Sequence, residues 1–516
     1  MKEKEIARAG VIDIGTNSIK LYIAEEDKDD IKILESLKNV LSLGNDTFFK
    51  DRISQEIINR TVAVLDKYSD KLKEYSITNL KVIATTAVRE AANRDVFIDT
   101  VYRRTGFNIE VFTVGDVIYY IDAYLYQKLK DKYPLHTKNL IIAELGSGSL
   151  DMSVMAQGFT LMNLGLPIGT LRIKQLMGQL DGSLRENYEA IEENVENEFA
   201  SFKREMPSIN IDDIILIEET YSAHLSKILS NKPVEPFFKL TQEDTAELLE
   251  KMTNGNIEEI AGQYKIPLEI AETFPAYAVT LNTFVKLSQS KVIHILEVPL
   301  AEAVLADMIL DFEVSQKYNK TNQLISIANS ICRKFNTDIK HAQQVADLSN
   351  MLFDELKESL GLKKGDLLYL LLAAYLHDVG EFVYNRAHHK HSEYIISNLN
   401  LFRLSTDEIK VIACCGRYHR KGAPAETHFL YNSLSREKQV LVQKLSSILR
   451  IANALDRAHK QKVKKIEVKF NRSQDITLTV SVPGNFLLEK TDFQEKKGMF
   501  EEISGNKINL KTQIIE

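Results

Sequence analysis

Residues 141–153 read I-I-A-E-L-G-S-G-S-L-D-M-S, and residues 11–23 read V-I-D-I-G-T-N-S-I-K-L-Y-I. Each phrase is an apolar run, a carboxylate, a glycine among small polar residues, and then apolar residues at every second position. These are Ile19, Leu21 and Ile23 in the first copy and Leu150, Met152 and Val154 in the second. Alternation with period two is a strand pattern, and a glycine turn between two such runs predicts a hairpin. A dinucleotide fingerprint needs a helix directly after its glycines, so it does not fit either copy. The phrase recurs after about 130 residues, and each copy opens a stretch in which strands alternate with helices.

Outward from the hairpins, 53–75 and 171–207 have the spacing of long amphipathic helices, Lys81 to Thr85 reads as a short strand leading into a helix, and 208–218 as a further strand. The alternation places residues 1 to about 310 in the α/β class, as two similar lobes. From about 320 to just beyond Asp456 helix follows helix, and short strands return at Lys465–Phe470 and Ile476–Val482. The expected division is therefore one lobe over 1–130, a second over 131–315, a helical domain over 320–462 and a small α+β segment over 463–516. The boundary falls near the polar stretch Q-K-Y-N-K-T-N-Q at 316–323. A chain of 516 residues suits three or four domains of roughly 100–200 residues each.

Composition narrows the partners. With 65 Lys and Arg against 72 Asp and Glu, the net charge of −7 argues against a general nucleic-acid binder and leaves only local basic patches for polyanions. The three cysteines, Cys332, Cys414 and Cys415, lack zinc-ligand spacing and read as reduced thiols. The start, M-K-E-K-E-I-A-R-A-G, leads straight into a strand, and no apolar run approaches the roughly 18 residues that span a bilayer. A cytoplasmic protein with no membrane partner is expected.

A glycine turn lets backbone approach a ligand closely, and its successive N–H groups form a concave anion site. Asn17, Ser18, Ser147 and Ser149 add donors, with Gly15, Gly146 and Gly148 in the turns. Asp13, Glu144 and Asp151 offer oxygen ligands for Mg²⁺, a hard cation. Two such hairpins across a cleft would grip an oligophosphate from both sides.

D-I-G-T-N-S followed by E-L-G-S-G-S is similar to the paired phosphate loops of the actin/hexokinase/sugar-kinase superfamily. Within it the chain resembles the exopolyphosphatase / guanosine pentaphosphate phosphatase family, through V-I-A-T-T-A-V-R-E-A-A-N-R-D at 82–95, G-L-P-I-G-T-L-R at 165–172, H-H-K-H-S at 388–392 and R-Y-H-R-K-G at 417–422. The resemblance implies two actin-like (ribonuclease H-like) lobes, then an all-α HD-type domain and a small α+β segment. It also implies a homodimeric, Mg²⁺-dependent hydrolase that releases terminal phosphate from polyphosphate or guanosine pentaphosphate. The family's phosphate contacts carry over onto Asn17, Ser18, Arg89, Gly146, Gly148 and Ser149. A guanidinium fork suits phosphoryl oxygens, which makes Arg89 a catalytic candidate. The chain shows no recognisable adenosine-binding stretch, which argues against a kinase.

Two departures bear on activity. Family members usually carry D-I-G-G-G-S-T-E at the second loop, whereas this chain has Glu144 and Asp151, the two acids exchanged in length. Where members show I-x-x-I-S-G-x-E-E-A, with the second glutamate assigned as general base, this chain reads I-E-V-F-T-V-G-D-V-I-Y-Y over 109–120. The ungapped register sets Asp116 at the first glutamate and Val117 at the second. Either Asp116 substitutes as the base, with Glu144 or Asp151 as less direct alternatives, or the cleft binds its polyphosphate or alarmone ligand without efficient turnover in a regulatory protein. A general base contributes roughly 10²–10⁴ in rate.

Five of eleven histidines fall between His377 and His419. His341, the His377–Asp378 pair and Asp456 match, in order and rough spacing, the metal-binding signature of the HD phosphohydrolase superfamily. Imidazoles and carboxylates converging from several helices hold a divalent metal that activates water. The helical half is then a second metal site, a hydrolytic site acting on a nucleotide, or a scaffold that widens a polyphosphate channel. Arg417, Arg420, Lys421, Arg457, Lys460, Lys462, Lys464 and Lys465 either line an anion channel or are a solvated face.

Overall fold

The computed structural model describes residues 7–182, 184–229, 237–288, 290, 292–311, 318–420, 422–471 and 475–515. The first six residues of the start, two residues of the expected linker (316 and 317) and Lys421 lie outside the described residues. The chain divides after Lys320 into two compact units.

In the first unit β1 (Arg8–Ile14), β2 (Ser18–Asp27) and β3 (Asp30–Val40) form an antiparallel meander, with β4 (Leu80–Ala84) and β5 (Ile109–Val111) added in parallel beside β1. The sheet order is β3-β2-β1-β4-β5. The second sheet repeats the plan. β6 (Asn139–Leu145), β7 (Leu150–Ala156) and β8 (Phe159–Leu166) are the meander, β9 (Asp213–Ile217) lies parallel to β6, and β10 (Phe238–Thr241) and β11 (Val292–Leu296) extend it, in the order β10-β11-β9-β6-β7-β8. The phrase is written twice because the same hairpin starts two sheets. Its apolar positions enter separate cores, Ile12, Ile14, Ile19, Leu21 and Ile23 in one and Ile141, Ala143, Leu150, Met152 and Val154 in the other.

The helix expected over 53–75 is Gln55–Glu74, started by Ser54, whose side chain accepts from Ile57 N. The single helix expected over 171–207 is instead two, Thr170–Met177 and Leu184–Glu205. Gly178, whose N–H reaches Lys174 O at 3.1 Å, closes the first. Glycine disfavours helix by about 1 kcal/mol per residue, and Gly178 and Gly182 together break the run.

The second unit carries helices Ile339–Leu360, Asp366–Leu376, His388–Ser397, Thr406–Tyr418 and Arg436–Leu455. A three-stranded sheet follows, with β12 (Lys465–Phe470) antiparallel and β14 (Ile508–Ile514) parallel to the central β13 (Ile476–Val482). Cys332, Cys414 and Cys415 are buried free thiols of this unit. Among the described residues no helix is long and apolar enough to cross a membrane.

Candidate functional site

The two hairpin turns close identically, Gly15 N to Ser18 O and Gly146 N to Ser149 O, each at 3.0 Å. Each is pinned from the start of the short helix that follows its meander. Gly44 N donates to Thr16 O at 2.8 Å, and Leu171 N donates to the equivalent Ser147 O at 2.9 Å. Leu41 N and Thr170 N take the carbonyls of Asn17 and Gly146. Using up acceptors in this way suits a turn that presents donors to an anion. The turns face one another across a single cleft, which Asp13, Gly15, Asn17, Ser18, Glu144, Gly146, Ser147, Gly148, Ser149 and Asp151 all line. At one point they touch. A Cβ on Gly148 would stand 2.8 Å from Thr16 Oγ1 and 2.9 Å from Thr86 Cβ, so only glycine fits there.

What stands opposite the leading acid differs between the hairpins. In the first, Asp13 pairs in register with Lys20; in the second, Glu144 pairs with Asp151. Lys20 Nζ binds Glu219, which enters from the loop after β9 in the other lobe. Burial opposes the Lys20 charge, but Glu219 and Asp13 hold its pKa above the usual value. Burial pushes the Asp13 carboxyl up to about 6 against the pull of Lys20. Glu144 is raised well above the ordinary range by burial and by the charges of Asp151 and Glu219. Asp151 is raised by burial and lowered in part by Arg89. Asp13 Oδ1 and Asp151 Oδ1 are buried without a hydrogen-bond partner.

Arg89 sits behind the turns rather than along the cleft wall. It donates to Phe112 O at 3.0 Å and Thr86 Oγ1 at 3.1 Å, and lies 3.9 Å from Asp151 Oδ2. Thr86 Oγ1 meets Ser149 Oγ at 2.9 Å, so Arg89, Thr86, Ser149 and Asp151 form one connected group. Asp116 is placed elsewhere than the base expectation requires. Its Oδ2 accepts from Thr113 N at 2.9 Å and Thr113 Oγ1 at 2.8 Å, completing the capping box of helix Val114–Lys128. Val117, one residue on, is the side chain that lines the cleft. T-V-G-D is a capping-box signature, and that local signal was available in the sequence. Lys20 and Glu219, which sequence reasoning missed, left no comparable signal.

In the second unit His341, His377, Asp378 and Asp456 are brought together, but Asp456 stands one layer back. Its Oδ2 takes His341 Nδ1 at 2.9 Å and its Oδ1 takes Gln461 N at 2.7 Å, so it orients His341 rather than joining the tight grouping. His388 and His419, present in the quoted motifs but missed as candidate ligands, take places beside Asp378. Among the described residues, two sets of three ligand-type side chains converge closely, His341–His377–Asp378 and Asp378–His388–His419, both of them buried. Burial works against the Asp378 anion, but His377, His388 and His419 hold it well below the usual range. Several of the basic residues are paired: Arg417 with Glu393, Lys462 with Glu489 and Lys465 with Glu467.

Two lobes, each opened by a strand–turn–strand that aims small residues and acids into a shared cleft, define the actin-like class of phosphate-handling folds. The model of the Ppx/GppA phosphatase family matches residues 22–312, and that of Ppx/GppA phosphatase domain III matches 325–496; the chain belongs to this phosphatase family. It is 23% identical over 456 residues to a guanosine-5'-triphosphate,3'-diphosphate pyrophosphatase of Pseudoalteromonas translucida, covering 86% of each chain. It is 32% identical over 172 residues to a bifunctional 3-dehydroquinate synthase/phosphatase of Fusobacterium nucleatum, a match spanning 32% of this chain and only 25% of that one. The solved Ppx/GppA family member of Aquifex aeolicus has the same fold, with a TM-score of 0.51 at 21% identity over 60% of this chain and 99% of that one.

Proposed function

We propose that the cleft of the first unit hydrolyses a terminal phosphoanhydride, releasing phosphate from inorganic polyphosphate or guanosine pentaphosphate. The reading rests above all on Glu144 and Asp151, two acids directly opposite on adjacent strands at the foot of a glycine turn. Like charges so placed keep a proton on one of them to higher pH than either alone. Burial and the neighbouring acids hold Glu144 above the ordinary carboxylate range, and in its ionised form it is the carboxylate assigned here to take a proton from water, which is the task of a general base. Backbone N–H groups of both turns, with Asn17, Ser18, Ser147 and Ser149, hold phosphate oxygens, and Arg89 steadies Asp151 and Ser149 from behind.

Mg²⁺ fits this set of donors. Asp13 and Asp151 each present a buried oxygen without a partner, and Mg²⁺ is commonly held by one or two carboxylates with phosphate and water completing its shell. When bound, it would neutralise phosphate charge. The names of the full-length relatives support the guanosine polyphosphate arm of the reading, and the resemblance supports a cytoplasmic homodimer. Phosphate release from both substrates in the presence of Mg²⁺ is the test. Glu144→Gln is expected to slow it by about 10²–10⁴-fold. An unchanged rate, or loss in His377→Ala with Glu144→Gln intact, would move the chemistry out of this cleft.

One observation favours a second reading, in which the cleft binds without efficient turnover. Val117 lines the cleft where the resemblance implies a glutamate, and Asp116 is committed to its helix cap. Tight binding by wild type with no phosphate release, together with release by Val117→Glu, would establish that reading; fast release by wild type would remove it.

A further inference from the structure

The stretch G-L-P-I-G-T-L-R at 165–172 encloses the second turn from behind, and its last three residues take the carbonyls of Gly146, Ser147 and Gly148 in order. Thr170 N donates to Gly146 O at 3.1 Å and Leu171 N to Ser147 O at 2.9 Å. Arg172 uses its side chain, with Nε donating to Gly148 O at 3.1 Å. Gly169 lies beneath: a Cβ there would stand 2.3 Å from Gly148 C and 2.4 Å from Ser149 N, so the peptide between those residues rests directly on it.

In a trans peptide the C=O and the N–H that follows it point in opposite directions. Three carbonyls drawn toward residues 170–172 therefore send the N–H groups of Ser147, Gly148 and Ser149 the other way. Among the described residues these three amides donate to no backbone carbonyl, and all three residues line the cleft. Successive amides aimed alike make an anion-binding concavity.

The two turns differ in how the third carbonyl is held. In the first turn the equivalent Asn17 O is taken by a main-chain donor, Leu41 N at 3.2 Å. In the second turn a side chain does this, and Gly148, without a Cβ, leaves the next peptide free to rotate once that donor is gone. Arg172 is itself held by the first lobe. Its Nη2 donates to Glu90 Oε2 at 2.6 Å, and its guanidinium carbon lies 3.9 Å from the centroid of the Phe48 ring. A planar fork serves a carbonyl and a carboxylate together while stacking on an aromatic face, which an ammonium does not. Arg172 is absent from the residues that line the cleft, so it acts through the turn.

We propose that Arg172 is a positioning residue of the phosphate site: it holds the Gly148 carbonyl behind the turn so that the Ser149 N–H faces the ligand phosphate, and Glu90 and Phe48 fix it from the opposite lobe. This role rests on the reading of the cleft as a phosphate site.

The test is the affinity of the full chain for methylenediphosphonate with Mg²⁺, a diphosphate analogue whose P–C–P link is not hydrolysed, measured by calorimetry beside the melting temperature. Loss of binding in the double variant Asn17→Ala, Ser18→Ala locates the ligand in this cleft. No binding by wild type, or binding that survives the double change, overturns the reading of the cleft and this role with it. Arg172→Ala is expected to weaken the affinity about tenfold. Millimolar guanidinium ion should restore it while leaving the wild-type affinity unchanged, because a missing donor at Gly148 O is replaced whereas a general loosening of the fold is not. An Arg172→Ala affinity equal to wild type, or a loss that guanidinium does not repair, overturns the role and leaves the reading of the cleft standing. If Arg172→Ala does not fold, Arg172→Lys decides: one ammonium cannot hold Gly148 O and Glu90 together, so its affinity should fall severalfold, and a wild-type value overturns the role.

Discussion

The two hairpins of the first unit share backbone, turn closure and helix pin, and differ in one cross-strand pair. Asp13 faces Lys20, whereas Glu144 faces Asp151. In the first hairpin Lys20 pulls against the burial of Asp13 and pairs with Glu219 across the cleft. The second holds two acids with Arg89 3.9 Å from one of them. Behind it lies a third acid, Asp122, which accepts from Ser153 Oγ of β7 at 3.1 Å and from Tyr318 Oη at 3.3 Å. One backbone unit, used twice, therefore yields one hairpin with an acid facing a cation and one with two acids facing each other. Perturbed carboxyls of this kind gather at functional sites, and both hairpins carry them, Asp13 in the first and Glu144 and Asp151 in the second.

Exchanging the character of the two pairs should break the asymmetry most sharply. Asp151→Asn is expected to lower phosphate release by about 10²-fold or more, while Lys20→Met lowers it far less and moves the acid limb of the pH–rate profile upward. The direction follows because Lys20 is the group that pulls the Asp13 pKa down. Equal losses in the two variants would mean that the hairpins are functionally alike.

The turn tips offer the next contrast. Gly148→Ala should destabilise the unit by about 1–3 kcal/mol, because its Cβ would press on Thr16 and Thr86, and its release rate should fall with it. Asn17, the equivalent residue of the first turn, is exposed, so Asn17→Ala should leave the melting temperature nearly unchanged. Thermal melts of the pair read the difference directly.

Asp122→Asn sharpens the comparison with the smallest effect. Burial pushes the Asp122 pKa up to about 8 from an ordinary 3.8. The folded state therefore binds a proton that the unfolded state has released. Stability from this group is fully present below pH about 4 and is lost as pH rises through about 8, with a slope of at most about 1.4 kcal/mol per pH unit. The variant should flatten the fall in melting temperature between pH 5 and pH 8. An unchanged slope would show that Asp122 is already ionised.

Much of this was legible before the fold. A period of two with a glycine between runs is a local rule, and it located both hairpins, all three hairpin acids and the turn residues that line the cleft. The boundaries of helix Gln55–Glu74 and of strands β12 and β13 were likewise carried by local pattern. The single helix expected over 171–207 was misread because periodicity outweighed two glycines. Asp116 was one candidate for a substitute base because it is the carboxylate next to Val117, while its T-V-G-D capping box already pointed to a helix cap. Asp456 was grouped with the ligands because order along the chain does not reveal depth behind another residue.

The sequence by itself determined two α/β lobes, the doubled glycine turn, the acids beside it and a histidine-rich helical region, since each depends on residues within a few positions of one another. The tertiary structure alone decided that Lys20 reaches Glu219, that Gly148 must pass Thr16, that Val117 and not Asp116 faces the cleft, and that four imidazoles divide between the two oxygens of Asp378. Most of those contacts join residues tens to hundreds of positions apart. They depend on packing between elements, which no local periodicity encodes.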